Sequence, residues 1–150
     1  MSAPTSTAVD RVRRAALFAC LAGLFGPFTA WAQDPRAAEA QGAAREWLAA
    51  ADRLDGRATW TTAGRRLKQS ATLQQWSVVL QRQRGQHGAV EQRTLAATSF
   101  PTSLPPKGAQ GEFAVVVFRT TFGKRPLAAE QVTLEREADG VWRVVRYVIR

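Results

Sequence analysis

Arginine is the side chain that gives this sequence the most scope for recognition chemistry. The 150 residues include 21 lysines and arginines against 12 aspartates and glutamates, and the formal net charge is +9. An arginine presents a fork of N–H donors that matches a carboxylate or phosphate group. A surface that gathers several of them can hold an anionic ligand. The candidate binding residues are Arg84, Arg93, Lys124, Arg125 and Arg146.

The same arginines have a simpler explanation, which stays open. They can be scattered and solvated, with Arg93 and Arg143 paired to nearby glutamates. An arginine-rich coding bias would also give this charge without any partner. A basic surface attracts nucleic acid and anionic lipid without specificity, so charge alone does not identify a partner.

Residue types that carry catalysis are scarce. His87 is the only histidine and lies in a predicted surface turn, and Cys20 is the only cysteine. Glu135 and Glu137 are two apart on a predicted outward strand face. We expect Glu130 to form a salt bridge with Lys124 or Arg125 across the preceding turn. The glycine-rich phosphate-binding and nucleophile motifs are missing, so we predict no catalytic residue, metal site or cofactor.

The first half of the sequence has helical periodicity. Residues 36–54 place alanines and Trp47 on one stripe, residues 59–67 predict a short second helix, and Thr72 with Gln75 has the spacing of a capping box for a third. "RGQHG" ends the third helix. The tryptophans in these patterns, together with Trp142, are interpreted as core anchors rather than as a ligand cage.

The second half has the patterns of strands. They are predicted at residues 89–99, 112–122 and 130–137 and in the closing segment "DGVWRVVRYVIR", where Asp139-Gly140 is a hairpin signal. Three prolines and two glycines in residues 100–111 predict a loop without a ladder. The order predicts an α+β fold, with N-terminal helices packed on a four-stranded antiparallel, curled sheet. This order resembles the nuclear-transport-factor-2-like, or cystatin-like, cone.

The segment 1–32 predicts a secretory signal peptide. A cluster of three arginines precedes an apolar run, and Ala30-Trp31-Ala32 resembles a cleavage site. The run is shorter than the roughly twenty residues that span a bilayer. Cleavage after Ala32 would release residues 33–150 as a single cysteine-free domain, without a transmembrane segment, into the periplasm or the medium. The leader contains three arginines and one aspartate, so its removal lowers the net charge from +9 to +7.

Four segments carry a closer resemblance: "REWLAAADRLD", "QQWSVVLQRQRGQHGAVEQRTL", "TSLPPKGAQGEFAVVVFRTTFGKRPLAAEQVTL" and "DGVWRVVRYVIR". In content and order they resemble the domain-of-unknown-function 4019 family of small exported bacterial proteins, over about residues 45–150. The matching positions are Trp47, Leu48, Trp60, Trp76, Arg84, Gly88, Arg93, Leu95, Pro105, Gly111, Phe122, Lys124, Glu130, Gly140, Trp142, Arg143 and Tyr147. The resemblance implies export and fold but no activity.

Two departures from the family pattern stand out: the filling of "PPKGAQGE", and Arg146 where the family usually has a small residue. The second departure bears on the closing segment, which is apolar on both faces. Strict alternation would place Tyr147 opposite Trp142, so we predict a β-bulge near Val145-Arg146 that returns Tyr147 to the face of Trp142. We also expect this strand to lie deep in the sheet.

Three functions remain open at this point. A non-enzymatic module could bind a small anionic or apolar ligand in a cone-like pocket lined by tryptophan and phenylalanine. An enzyme would need an inward-pointing carboxylate in that pocket, and the sequence marks no clear one. A structural partner of an envelope protein would use an exposed sheet or helix face. Export argues against a specific nucleic acid in each case.

Overall fold

The computed structural model describes residues 34–105 and 108–150; the predicted signal peptide lies outside these ranges. Helices precede the strands, as the sequence predicts. The helices are α1 (Pro35–Asp52), α2 (Gly56–Thr61), α3 (Arg65–Ser70) and α4 (Leu73–Gly85), and the strands are β1 (Val90–Ser99), β2 (Ser103–Leu104), β3 (Ala109–Gln110), β4 (Phe113–Phe122), β5 (Arg125–Arg136) and β6 (Trp142–Ile149).

The main sheet is antiparallel, with the strand order β1-β4-β5-β6. Helices α1, α2 and α4 pack on one side of it, which we call the inner face, and α3 wraps around the edge formed by β6. This confirms the predicted α+β class and the four-stranded sheet. The expectation that the closing strand lies deep in the sheet is wrong, because β6 is an edge strand. Gly64 N, at the start of α3, donates a hydrogen bond to Val144 O (2.8 Å) and covers part of that edge.

Two short helices replace the single one predicted at residues 59–67. Asp55 caps α2 by accepting a hydrogen bond from Ala58 N (2.8 Å), and α3 begins after Gly64. Gly56 allows α2 to approach α4, since a Cβ there would lie 2.3 Å from Ser77 Oγ. The Asp55-Gly56 pair therefore starts α2 as well as separating it from α1.

Helix α4 has the capping box that the sequence predicts. Thr72 Oγ1 accepts a hydrogen bond from Gln75 N, and the Gln75 side chain accepts one from Thr72 N. Each side chain thereby satisfies a free backbone donor of the first turn. The buried side of α4 carries Trp76 and Leu80.

Tryptophans anchor the core between the helices and the inner face. Trp47, Trp76 and Trp142 are each at most 6 % exposed, which confirms them as core residues, while Trp60 is partly buried against the same cluster. The indole N–H groups of Trp47 and Trp76 donate to Thr59 O and Thr59 Oγ1, both at 2.9 Å. Beside these rings an open cavity of about 440 Å³ is lined by Trp47, Trp142 and Val144 among others. The indole nitrogen of Trp142 is buried without a hydrogen-bond partner among the described residues.

The loop at residues 100–111 holds a minimal ladder, contrary to the prediction. Strands β2 and β3 pair antiparallel over two residues each. Pro101 and Pro105 lie on either side of Ser103–Leu104, so neither removes a donor from the paired positions. A two-residue ladder therefore tolerates prolines that would disrupt a longer one.

The closing segment contains the predicted bulge. Thr133 pairs with Arg146 and Leu134 pairs with Val144, so Val145 is the extra residue. Tyr147 consequently joins Trp142 and Val144 in the core. The Asp139-Gly140 turn precedes β6 as predicted. Gly140 has a positive φ, a backbone conformation that favours glycine.

No helix within the described ranges combines the length and apolar character needed to cross a membrane.

Candidate functional site

A cluster of charged side chains lies against the inner face, among apolar neighbours. Arg84 comes from the last turn of α4, Arg93 from β1, Glu130 from β5 and Asp52 from the end of α1. Exposure of the side chains is 3 % for Arg84 and 0 % for Glu130, and it rises to 16 % for Arg93 and 29 % for Asp52. We call these four residues, with Tyr147 and Thr120, the inner network.

Each of three elements places a charge on its own apolar stripe. Ala44 and Leu48 recur every four residues along α1, and Asp52 is the next position on that stripe. Trp76, Leu80 and Arg84 have the same spacing on α4. These spacings carry the charged groups into the core region with their apolar neighbours.

On β5 the corresponding signal is alternation. Glu130 has the same parity as Val132 and Leu134, which are fully buried. Because alternate residues of a strand share a face, Glu130 lies on the same inner side as Val132 and Leu134. Glu130 is therefore an inward-pointing acid, although the sequence was expected to contain no clear one.

Glu130 accepts hydrogen bonds on both carboxylate oxygens. Arg84 Nη1 and Tyr147 Oη donate to Oε1 at 2.7 and 2.5 Å, and Arg93 Nη2 adds a longer bond of 3.2 Å. Arg93 Nε and Thr120 Oγ1 each donate to Oε2 at 2.6 Å. Its acceptor capacity is filled by protein donors.

Asp52 links the two arginines on the solvent side of the network. Arg93 donates through Nη1 and Nη2 to Oδ2 and Oδ1 (2.8 and 2.7 Å), and Arg84 donates through Nη2 to Oδ1. An aspartate in the last turn of a helix opposes the helix dipole. The paired guanidinium groups compensate for that placement, so two cations and two anions balance one another.

The network shifts the pKa values of its members. Burial opposes the charge of Asp52, but hydrogen bonds and charge from Arg93, followed by the charge of Arg84, outweigh it and lower the pKa. Burial also opposes the charge of Arg93, whose pKa is nevertheless raised by its bonds to Asp52 and Glu130. Burial, followed by the Glu130 charge, raises the pKa of Tyr147, which therefore remains a neutral hydrogen-bond donor.

This arrangement is suited to stability rather than to proton transfer. A general base needs a free lone pair within reach of a substrate, and those of Glu130 are occupied. Breaking a buried ion pair by removing one partner costs about 3 to 5 kcal/mol. The inner network thus connects α1, α4, β1, β4, β5 and β6. Arg84 Nε is a buried nitrogen without a hydrogen-bond partner among the described residues.

Lys124 and Arg125 lie elsewhere, at the turn between β4 and β5. Lys124 N donates to His87 O (2.9 Å), and burial, followed by the charge of Arg125, lowers the pKa of His87. The predicted salt bridge from either residue to Glu130 is wrong. Five residues of extended chain, about 17 Å, separate Arg125 from Glu130, which is held by Arg84 and Arg93 instead.

The remaining candidate, Arg146, lies on the opposite side of the sheet and is exposed. Arg119 on β4 and Arg150, which follows β6, are exposed on the same side. None of the three is within salt-bridge distance of a carboxylate in the part of the chain that the structure describes. By contrast, Arg143 at the covered end pairs with Glu137 (3.1 Å), in line with the expected pairing to a nearby glutamate, and also with Asp139 (2.7 Å).

Strand pairing arranges this side of the sheet in three rows across β4, β5 and β6. The first row is Val115, Thr133 and Arg146, the second is Val117, Gln131 and Val148, and the third is Arg119, Ala129 and Arg150. We call these nine residues the open face. It carries three cations and no anion. The half-buried Val117 and Val148 lie in the middle row, between the two rows that contain arginine.

The end of this side that α3 covers differs from the open face in burial and in charge pairing. In the next row, Phe113 is 1 % exposed beneath the Arg66 guanidinium, which pairs with Glu135 at 2.7 Å. At the other end, Arg119 and Arg150 line an open cavity of about 370 Å³ whose lining also includes Ala129 and Thr94. The open face is therefore bounded by α3 at one end and accessible at the other.

In the described part of the chain, no group of three or more His, Cys, Asp or Glu side chains is arranged to hold a metal ion.

Comparison with protein families identifies the chain. The model of the family described as "Protein of unknown function (DUF4019)" matches residues 43–147. The chain belongs to the DUF4019 family. No curated protein and no solved structure matches it, so the resemblance to the nuclear-transport-factor-2-like cone remains a prediction. Arg84, Arg93, Glu130 and Tyr147 are positions on which the DUF4019 resemblance rests, so four of the six members of the inner network are family-matching residues.

Proposed function

We propose that this DUF4019 protein is an exported, non-enzymatic interaction module whose open face docks an acidic segment of another envelope protein. The observation that carries the proposal is the set of three exposed arginines, Arg119, Arg146 and Arg150, without carboxylate partners in the described part of the chain. Guanidinium groups in this state are free to fork onto a partner's carboxylates. The two valines between them offer apolar area to the same partner.

The positive charge of the open face indicates that its partner is acidic. An acidic segment complements three arginines, whereas the chain's own leader, with three arginines and one aspartate, does not. Complementary charge also speeds the encounter between partners and makes it sensitive to salt. We therefore assign the face to a second protein rather than to the leader.

Export is supported by the sequence of the leader, in which three arginines precede an apolar run and Ala30-Trp31-Ala32. Expression of the full chain in a Gram-negative host, followed by fractionation and N-terminal sequencing, tests it. We expect periplasmic protein that begins at Gln33. Cytoplasmic protein that retains its leader would overturn this part of the proposal.

The enzyme alternative is favoured by one feature, the inward acid Glu130. Its five hydrogen bonds from protein groups argue against a catalytic role. If it served as a base, its replacement by glutamine would abolish a turnover without requiring loss of stability. We expect Glu130→Gln to act on stability instead.

The docking proposal is tested by capturing envelope proteins on the processed protein and on two matched variants. The first, Arg119→Gln/Arg146→Gln/Arg150→Gln, removes the cations of the open face. The control, Arg53→Gln/Arg57→Gln/Arg82→Gln, removes three exposed arginines from the helical half of the chain. Captured proteins are identified by mass spectrometry, and their affinity is then measured with purified components.

We expect a partner with an acidic segment to bind the control as it binds the wild type. It should bind the open-face variant about tenfold more weakly, since three exposed ion pairs of roughly 0.5 kcal/mol each sum to about 1.5 kcal/mol. Equal loss in both variants would indicate attraction by net charge and contradict a specific face. Binding to phosphatidylglycerol vesicles that depends on the open face, without protein capture, would replace the protein partner by a lipid surface.

A further inference from the structure

We infer that the segment docked on the open face is extended and carries acidic residues at positions i and i+4 with an apolar residue at i+2. This inference rests on the proposed function and specifies the partner's sequence. It follows from the spacing of the open face, which repeats along the strands in a way that only some backbone conformations can match.

The separation of the two arginines along the β6 strand sets the required spacing of the partner's carboxylates. Arg146 and Arg150 are four residues apart and point to the same side. A strand rises about 3.4 Å per residue, so their backbone positions are about 13 to 14 Å apart. Two carboxylates that meet both arginines from directly above must be similarly spaced.

An extended segment matches this distance. Its residues i and i+4 project to the same side and are also about 13 to 14 Å apart. In a helix, neighbours on one face are three or four residues apart and only about 5–6 Å from each other. Such a helical pair could therefore meet one end of the open face but not both, and a helical pair seven residues apart, at about 10.5 Å, falls about 3 Å short of the required distance.

The middle row determines the residue between the two acids. Val117, Gln131 and Val148 lie halfway between the arginine-bearing rows. Position i+2 of an extended segment faces the same way as i and i+4 and would lie above these residues. An apolar side chain there covers the half-buried valines and leaves no charge without a partner.

The two ends of the open face should contribute differently to the affinity for the acidic segment. Arg119 and Arg150 flank Ala129 in one row. Because alanine leaves open space between them, both arginines line the same cavity. One carboxylate can be approached by two guanidinium groups at this end and by Arg146 alone at the other. The acidic residue over the Arg119–Arg150 row should therefore contribute more.

Two peptides of identical composition test the spacing. Acetyl-Ala-Glu-Ala-Val-Ala-Glu-Ala-amide has the inferred pattern, and acetyl-Ala-Glu-Glu-Val-Ala-Ala-Ala-amide has adjacent acids. Both are titrated into the isotopically labelled, processed protein at low salt and followed by NMR. We expect the first to bind about two- to fivefold more tightly, which is the effect of one additional exposed ion pair, and to shift amide signals of both the Arg146 and the Arg150 rows. In Arg146→Gln the two peptides should become equal.

The outcomes separate this inference from the proposed function. Equal binding of both peptides to the wild type, lost from both in the variant that replaces all three open-face arginines, would overturn the spacing and leave the acidic docking face intact. If neither peptide binds, or if binding is unaffected by that variant, both the spacing and the docking face are wrong.

Discussion

The arginines of the inner network and those of the open face have the same side chain but opposite surroundings. Arg84 and Arg93 are surrounded by carboxylates and are at most 16 % exposed. Arg119, Arg146 and Arg150 are exposed and without carboxylate partners in the described part of the chain. A basic composition therefore divides into cations that hold the fold together and cations that remain available for recognition. Net charge alone does not distinguish the two groups.

The largest effect should come from Glu130→Gln. The substitution keeps the shape of the side chain but removes the charge that neutralises Arg84 in the core, and an unpaired buried charge costs about 3 to 5 kcal/mol. Urea unfolding followed by circular dichroism measures the loss.

Glu112→Gln is the matched control for Glu130→Gln. Its bridges to Arg36 and Arg136 are long, 3.5 and 3.6 Å, and its side chain is 39 % exposed. We expect a change below about 1 kcal/mol. If the two substitutions cost the same, the inner network is no more important to stability than a surface pair.

The next largest loss of stability should come from Tyr147→Phe. It removes the hydroxyl that donates to Glu130 (2.5 Å) and accepts from Arg84 (3.1 Å) without leaving a cavity. Hydrogen bonds to charged groups contribute about 1.5 to 3 kcal/mol. A loss of this size in the free energy of urea unfolding is expected. An unchanged free energy would mean that the tyrosine contributes to the core only through its ring.

The decline of the unfolding free energy at acid pH should depend on Asp52. Its pKa is lowered in the folded protein, so the stability it contributes is present above its unfolded pKa of about 3.9 and is lost as pH falls through the folded value. We expect the unfolding free energy to decline less between about pH 4 and pH 2 in Asp52→Asn than in the wild type. Asp139, whose pKa the Arg143 bond lowers to about 2, retains a dependence of the same sign. Parallel declines in both proteins would show that Asp52 is not coupled to the arginines.

The smallest effect is expected on the open face. Arg119→Gln, Arg146→Gln and Arg150→Gln should each change the unfolding free energy by less than about 0.5 kcal/mol, because each removes a solvated charge. Thermal unfolding of the single variants checks this. A destabilised Arg146→Gln would indicate that this arginine supports the bulge beside it rather than serving recognition.

The sequence predicted features that depend on local signals. The capping box of α4, the Asp139-Gly140 turn and the bulge at Val145 all follow from neighbouring residues. The inner network was missed because charged side chains were assigned to the surface, although Asp52, Arg84 and Glu130 continue apolar stripes. The edge position of β6 and the short β2–β3 ladder depend on contacts between distant segments, which spacing along the chain does not encode.

The division into locked and available arginines is tested most directly by measuring an acidic partner segment's affinity for the wild type and for the variant that replaces all three open-face arginines. Thermal unfolding of the same samples verifies that both remain folded. We predict about tenfold weaker binding in the variant with an unchanged unfolding temperature. Undiminished binding by a fully folded variant would contradict the assignment of recognition to the open face.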